Sequence, residues 1–358
     1  MLDAMTISKQ WASRPMDQRF TTLEELHAFN VAKRARSHER GVPLDLMRLV
    51  PEGEGVTLAL PDENTGYLNN WAFSQLCQRA HAPAGYLRTL PAALAAIPLQ
   101  YSLEQDHQDA KLLTRKNGGP STVDAITSDS YGRIWDAEMS ESIVKHIDPT
   151  VWKVPVASYA AHDPKKATTL YASDRDCFIA LVDDQHAIEV PTTTGGQADL
   201  LYRGFIVHNS EVGAATYELF LFLYRFICDN RIIHGLAEQK HLRIRHSSGG
   251  PLRFMYQATP ALKGYLNAAT NETVQSIQRA TEKVVAKDDK SMAEWLKQRG
   301  FAQGVAQRAI AINAAEPGNP YSLWSAVNGL TAAAHDQDFG DERLDLELKA
   351  SKLLDAVA

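Results

Sequence analysis

The spacing of apolar positions changes twice along the chain. Up to about residue 105 they recur at helical intervals between capping residues. Thr22-Leu23-Glu24-Glu25 has the spacing of a capping box, and the residues to Arg40 suit a helix closed by Gly41. Asn70 caps a helix through Arg79, Pro83 starts a short one, and Pro91 and Pro98 punctuate an Ala-rich stretch ending near Gln100. From Lys111 the runs become short and β-rich. Residues 111–116 and 122–127 predict strands on either side of the turn signal Asn117-Gly118-Gly119-Pro120. Residues 136–147 suit a helix, and 153–159, 168–172, 178–182 and 201–207 suit strands. Ser173-Asp174-Arg175-Asp176 is a polar turn suited to a hairpin.

Between Val212 and Ile227 nearly every side chain is apolar, which predicts a core helix over 211–229. Its exceptions, Glu211, Glu218, Arg225 and Asp229, then fall on one stripe, either a site or an internal ion pair between Arg225 and Asp229. Lys240 to His246 reads as a basic strand with His241, Arg243 and Arg245 on one face. After the turn SSGGP, helices are expected from Thr259-Pro260 toward Lys287, from Ser291 with Glu294 to a stop at Gly300, over 302–313 and 321–335, and in an acidic final segment. No segment repeats at a fixed period, which excludes a solenoid. The expected architecture is α+β: a mainly antiparallel central sheet packed on a long buried helix, with helical N-terminal and C-terminal parts. The corresponding regions are 1–105, 106–250 and 251–358.

Composition places the chain among soluble globular proteins, with 358 residues, 22% charged and 44% hydrophobic. No apolar run approaches the roughly 18 residues of a membrane span, and no secretory signal is visible in MLDAMTISKQW. A cytoplasmic protein without a membrane partner is expected. The 3 cysteines, Cys77, Cys177 and Cys228, include no CxxC pair and read as buried thiols. The formal charge of -6 hides a polarity. Residues 201–264 carry 8 Lys and Arg against 4 Asp and Glu, a surplus of 4, whereas 336–347 holds 6 carboxylates and one arginine.

The chain lacks a Walker motif, GxGxxG, GxSxG and HExxH, so it gives no cue for a nucleotide or other cofactor. Cys228, His234, His241 and His246 do not have the spacing of a common zinc site. Asp174 and Asp176, with Glu189 or Asp129, offer oxygen ligands for magnesium and phosphodiester cleavage, although a turn uses Asp equally for local hydrogen bonds. The basic segment suggests phosphate. Arg203, Lys240, Arg243, Arg245 and His246 are the candidate contacts, with Tyr202 and Tyr256 available to stack on bases. The same arginines suit carboxylates of a neighbouring element.

TLYASDRDCFIALVD, LYRGFIVHNSEVGAATYELFLFLYRFICDN, LRIRH and YSLWSAVNGLTAAAH resemble the phage- and plasmid-borne family described as domain of unknown function 932, from about residue 112 to the C-terminus. Matching positions are Ser173, Asp174, Arg175, Asp176, Arg203, Gly204, Asn209, Ser210, Arg225, Cys228, Asn230, Arg245 and His246. The resemblance implies a mobile-element protein, from the neighbourhood of recombination, repair and anti-restriction genes, and no assigned reaction. The expected hairpin, strand and long-helix order is similar to the core of single-strand annealing proteins. The expectation is therefore a nucleic-acid-binding protein of a phage or plasmid that binds or anneals single-stranded DNA. The alternatives are a metal-dependent phosphodiesterase using Asp174 and Asp176, and a non-catalytic anti-defence or self-assembling protein whose acidic tail makes the contact.

Overall fold

A computed structural model of the chain describes residues 15–53, 55–59, 65–116, 118, 121–155, 168–190, 199–225, 230–232, 241–267, 271–316, 318–334 and 340–355. In chain order the N-terminal part contributes β1 (Arg19–Phe20), α1 (Leu23–Ala35), β2 (Ser37–Pro43), β3 (Arg48–Glu52), β4 (Gly55–Ala59), β5 (Thr65–Leu68), α2 (Asn70–Arg79), α3 (Ala84–Leu87) and α4 (Ala92–Gln105). The middle supplies β6 (Asp109–Lys116), β7 (Ser121–Ser128), α5 (Asp136–His146), β8 (Trp152–Lys153), β9 (Leu170–Ala172), β10 (Cys177–Asp183) and β11 (Ile188–Val190). It continues through β12 (Asp199–Asn209), β13 (Tyr217–Arg225), β14 (Asn230–Ile232) and β15 (His241–Ile244). The C-terminal part is α6 (Gly250–Leu266), α7 (Asn271–Glu282), α8 (Asp289–Gln298), α9 (Gln303–Ala315), α10 (Leu323–Ala333) and α11 (Gly340–Asp355).

The strands form two sheets. The central one runs β1-β9-β10-β12-β13-β14, with β8 on β10, β11 on β12 and β15 on β13, and its pairings are antiparallel. The second runs β2-β6-β7-β5-β4-β3 and is antiparallel except between β5 and β7. The molecule is α+β with a central antiparallel sheet, as expected. Leu26 of α1, Met139 and Ile143 of α5, and Phe254 and Leu262 of α6 pack on one face of that sheet against Ile179, Phe205 and Val207. Leu76 and Leu99 of α2 and α4 cover the second sheet against Leu58, Leu112 and Val123. Leu323, Trp324 and Val327 of α10 join the C-terminal helices to Leu201 and Leu223.

The predicted helix over 211–229 is instead β13. Leu219 pairs with Val207 and Leu221 with Phe205 across an antiparallel ladder. Tyr217, Leu219 and Leu221 turn toward the α1, α5 and α6 layer, while Phe220 and Phe222 join Phe178 and Ile206 on the opposite face. Burial on both faces removes the alternation of a half-buried strand, and the aromatic and leucine content then favours the strand. Gly204 makes room for this arrangement: a Cβ there would lie 2.3 Å from Phe222 Cζ. The charged stripe at helical spacing dissolves. Glu211 lies in the β12–β13 connection, Glu218 lies in β13, and Asp229 falls outside the described residues. The helix over 211–229 that completed the element order likened to single-strand annealing proteins is therefore a strand.

The N-terminal part is not helical alone. Thr22 caps α1 through the amide of Glu25, but α1 ends at Ala35, short of Arg40, because β2 pairs with β6 from Ser37↔Arg115 to Pro43↔Asp109. The turn-rich stretch after it holds β3, β4 and β5. In the C-terminal part α6 starts at Gly250, ahead of the expected Thr259, with Pro251 in its first turn and Pro260 inside it. Asp288, rather than Ser291, is the N-cap of α8, with Ser291 completing its capping box. Along β7, Leu113 pairs with Ala125 and Thr114 with Val123, which leaves Asp124 as the extra residue of a β-bulge.

Candidate nucleic-acid interface

The central sheet ties up much of the expected basic row. Arg203 Nη2 lies 3.3 Å from Asp183 Oδ2, and the Arg203 side chain is only 18% exposed. Glu218 and Arg243 are cross-strand partners on β13 and β15, with Arg243 Nε 3.1 Å from Glu218 Oε1 and 3.2 Å from the Thr216 hydroxyl. Tyr202 is partly buried against the Phe178 and Phe222 cluster. His246 stacks on Tyr131 with ring centroids 5.0 Å apart, and its Nδ1 is 3.3 Å from the Ile134 amide and 3.2 Å from the Gly132 carbonyl. Burial pushes the imidazole down to about 4, so the ring is neutral near pH 7. Arg203, His246 and Tyr202 are therefore internal groups rather than open contacts, and Arg243, although exposed, is paired with Glu218. Lys240 lies outside the described residues, while Arg245 and Tyr256 are exposed.

The Ser173–Asp176 turn between β9 and β10 is also self-contained. Ser173 Oγ is 2.9 Å from Asp176 Oδ1, His208 Nε2 is 3.5 Å from Asp176 Oδ2, and the Ser210 hydroxyl bonds the Arg175 carbonyl. The Arg175 guanidinium sits 4.5 Å from the Trp71 ring centroid. Asp176 is buried and Asp174 exposed, and among the described residues no three His, Cys, Asp or Glu side chains are grouped to hold a metal. The phosphodiesterase reading finds no ligand set here. Of the remaining family-like positions, Arg225 ends β13, Asn230 begins β14, and Cys228 lies outside the described residues.

Beneath these elements lies a buried ionic network that the sequence did not reveal. Lys33 Nζ of α1 is 2.6 Å from Asp136 Oδ2 and 3.4 Å from Glu211 Oε2. Arg115 of β6 bonds Glu211, reaches Asp124 at 2.6 Å and donates to the Ser37 hydroxyl at 2.9 Å. The bulge places Asp124 beside Arg115. Arg133 bonds the Glu211 carbonyl and Glu39, the latter at 2.5 Å. The Asp136 amide donates to Glu211 Oε1 at 2.9 Å, so this distant carboxylate supplies the N-terminal cap that Trp135 does not.

The two carboxylates at the centre of the network titrate in opposite directions. Burial, reinforced by Glu211, raises Asp136 to about 6 despite Lys33. Burial also opposes ionisation of Glu211, but Lys33 and Arg115 outweigh it and hold Glu211 below its ordinary value. Burial would lower Lys33, yet Asp136 and Glu211 override it and keep the ammonium charged. The network joins both sheets to α1 and α5. The one cue in the sequence was Glu211 itself, a carboxylate at the edge of an apolar run.

This network supports a surface turn. Tyr131 bridges Ser247, and Gly132 passes so close that a Cβ there would meet the Ser247 carbonyl oxygen at 2.0 Å. Above it, the Gly250 amide bonds the Ser247 carbonyl at 2.6 Å, and α6 starts from Gly249 without a side-chain cap. Arg253 folds back on this start, 2.7 Å from the Ser247 hydroxyl and 3.4 Å from the Arg245 carbonyl. Among the described residues neither Arg245 nor Arg253 is paired with a carboxylate, and residues 241–267 contain no Asp or Glu. Leu252, Met255 and Tyr256 are exposed on the same turns of α6. Arg253 is the addition that sequence reading did not single out.

No family model, curated protein or solved structure matches the chain.

Proposed function

We propose that the chain binds single-stranded nucleic acid through the junction of β15 and α6. The observation that carries this reading is an acid-free segment in which Arg245 and Arg253 flank the start of a helix of 17 residues, with Tyr256 on the adjoining turn. Exposed guanidinium groups and the positive end of a helix favour phosphate, and an exposed aromatic ring offers a stacking surface to any base. Phosphate contacts of this kind give affinity without sequence preference. The resemblance to domain of unknown function 932 supports a setting on a phage or plasmid, and strand binding or annealing during recombination or repair fits both lines.

The test is fluorescence anisotropy with a labelled oligothymidine at low salt. The wild-type protein binds, and log affinity falls with log salt by about 0.7 for each phosphate contact. The double variant Arg245→Ala/Arg253→Ala loses at least tenfold in affinity, and Tyr256→Ala weakens binding with an unchanged salt slope. Absence of binding by the folded wild-type protein, or full binding by the double variant, overturns the reading.

A further inference from the structure

A second site lies in the N-terminal sheet layer, away from the proposed strand-binding turn. A cavity of about 280 Å³ opens between β4 and β5 on one side and α2, α3 and α4 on the other. Its volume approaches the lower limit of pockets that hold small organic molecules, about 300 Å³. Val56, Leu87 and Ala95 form a buried apolar floor, and Phe73 and Leu90 line it farther out. Ala92 and Ala95 are the small residues that leave it open.

Among the described residues Arg88 is the one charged side chain in the lining. Its guanidinium is held in place from one end: Nη2 donates to the Asn70 carbonyl at 2.8 Å and to the Ser74 hydroxyl at 2.5 Å, and the group lies 5.3 Å from the Phe73 ring centroid. These bonds leave the Nε and Nη1 donors available. Among the described residues Arg88 is paired with no carboxylate. An apolar recess with one fixed cation at its mouth has the polarity of a receptor for an amphipathic anion.

We infer that this cavity binds a small organic carboxylate, with its apolar body against Val56, Leu87 and Ala95 and its carboxylate on Arg88. The cavity size limits the ligand to a short alkyl or single-ring acid. The site requires no contribution from the nucleic-acid surface, so either proposal can fail without the other.

Octanoate is the probe, with 1-octanol and octylamine as neutral and cationic counterparts of the same body. Isothermal titration of the full chain is expected to give one octanoate site with a dissociation constant near ~1 mM, the range open to so small a ligand. Octanol is expected to bind about tenfold more weakly, the loss of one charge-assisted hydrogen bond, and octylamine more weakly still. Arg88→Gln reproduces the octanol value for octanoate and leaves octanol binding unchanged. Ala95→Leu abolishes binding of both by filling the recess. Ala95 lines the cavity, so the atoms added there extend into its open space. Circular dichroism and the thermal midpoint of each unliganded variant establish that it is folded. Absence of octanoate binding by the wild-type protein up to about ten times that constant, or equal binding by wild type and both variants, overturns the inference.

Discussion

Lys33 and Asp136 meet at 2.6 Å with side chains only 6% and 1% exposed, although they lie 103 residues apart in the chain. Neither charge reaches solvent, and each has other partners: Asn209 and Lys33 serve Asp136, while Asp136, Glu211 and the Ser173 carbonyl serve Lys33. Such a network fixes the arrangement of its elements more than it adds net stability, because desolvation offsets much of the attraction.

Removing one member is nevertheless expensive. Glu211→Gln withdraws the anion shared by Lys33 and Arg115 and leaves their charges undercompensated inside the protein. The expected loss is about 3–5 kcal/mol in urea unfolding, typical for a broken buried pair. A loss below about 1 kcal/mol would show that water reaches the network.

Acidification sets Asp136 against His246. The folded protein binds a proton on Asp136 more tightly than the unfolded chain, so that contribution is present below pH 3.8 and lost as pH rises through about 6. His246 is depressed from 6.5 to about 4, so its contribution is present above pH 6.5 and lost as pH falls toward 4. The two slopes oppose each other in one window. Asp136→Asn should therefore lose stability more steeply than wild type between pH 6.5 and 4.5, values inside that window. His246→Gln should lose it less steeply. Urea midpoints across that range measure both, and parallel profiles for the three proteins would refute the assignment.

Gly204 and Phe222 are cross-strand partners, and the phenylalanine ring covers the space a side chain would need. Gly204→Ala is expected to cost about 1–3 kcal/mol through overpacking. Adding Phe222→Leu should recover part of that loss. Simple additivity in the double-mutant cycle would show that the ring is not the obstacle.

Arg243 gives the contrast for the proposed interface. Its ion pair with Glu218 has side chains 38% and 15% exposed, so Arg243→Ala should cost no more than about 1 kcal/mol. It should also leave oligothymidine affinity unchanged while the Arg245→Ala/Arg253→Ala variant loses it. An equal loss from Arg243→Ala would move the interface onto β15.

The strands β6, β7, β9 and β10 were legible because turn residues bracket short apolar runs, as Asn117 to Pro120 and Ser173 to Asp176 do. β13 was misread as a helix because Leu219 and Phe220 are buried against different layers, so neither a two-residue nor a 3.6-residue period stands out. The basic strand was legible in its faces, with Ile244 inward and Arg243 outward. What Arg243 and Arg203 would meet was not, since Glu218 and Asp183 are brought alongside only by pairing in the sheet. The ionic network was hidden for the same reason: Arg115 and Glu211 are 96 residues apart, and nothing local to either specifies the other. The acidic tail illustrates the opposite error, because Glu347 looked like part of an exposed carboxylate run and is fully buried in α11.

β1 hydrogen-bonds to β9 through Arg19↔Tyr171 and Phe20↔Leu170. During synthesis β1 must therefore stay unpaired until β9 emerges, and long-range pairing of this kind folds slowly. During that interval Phe20 lacks its cross-strand neighbour Leu170, and an unpaired strand edge of this kind is prone to aggregate.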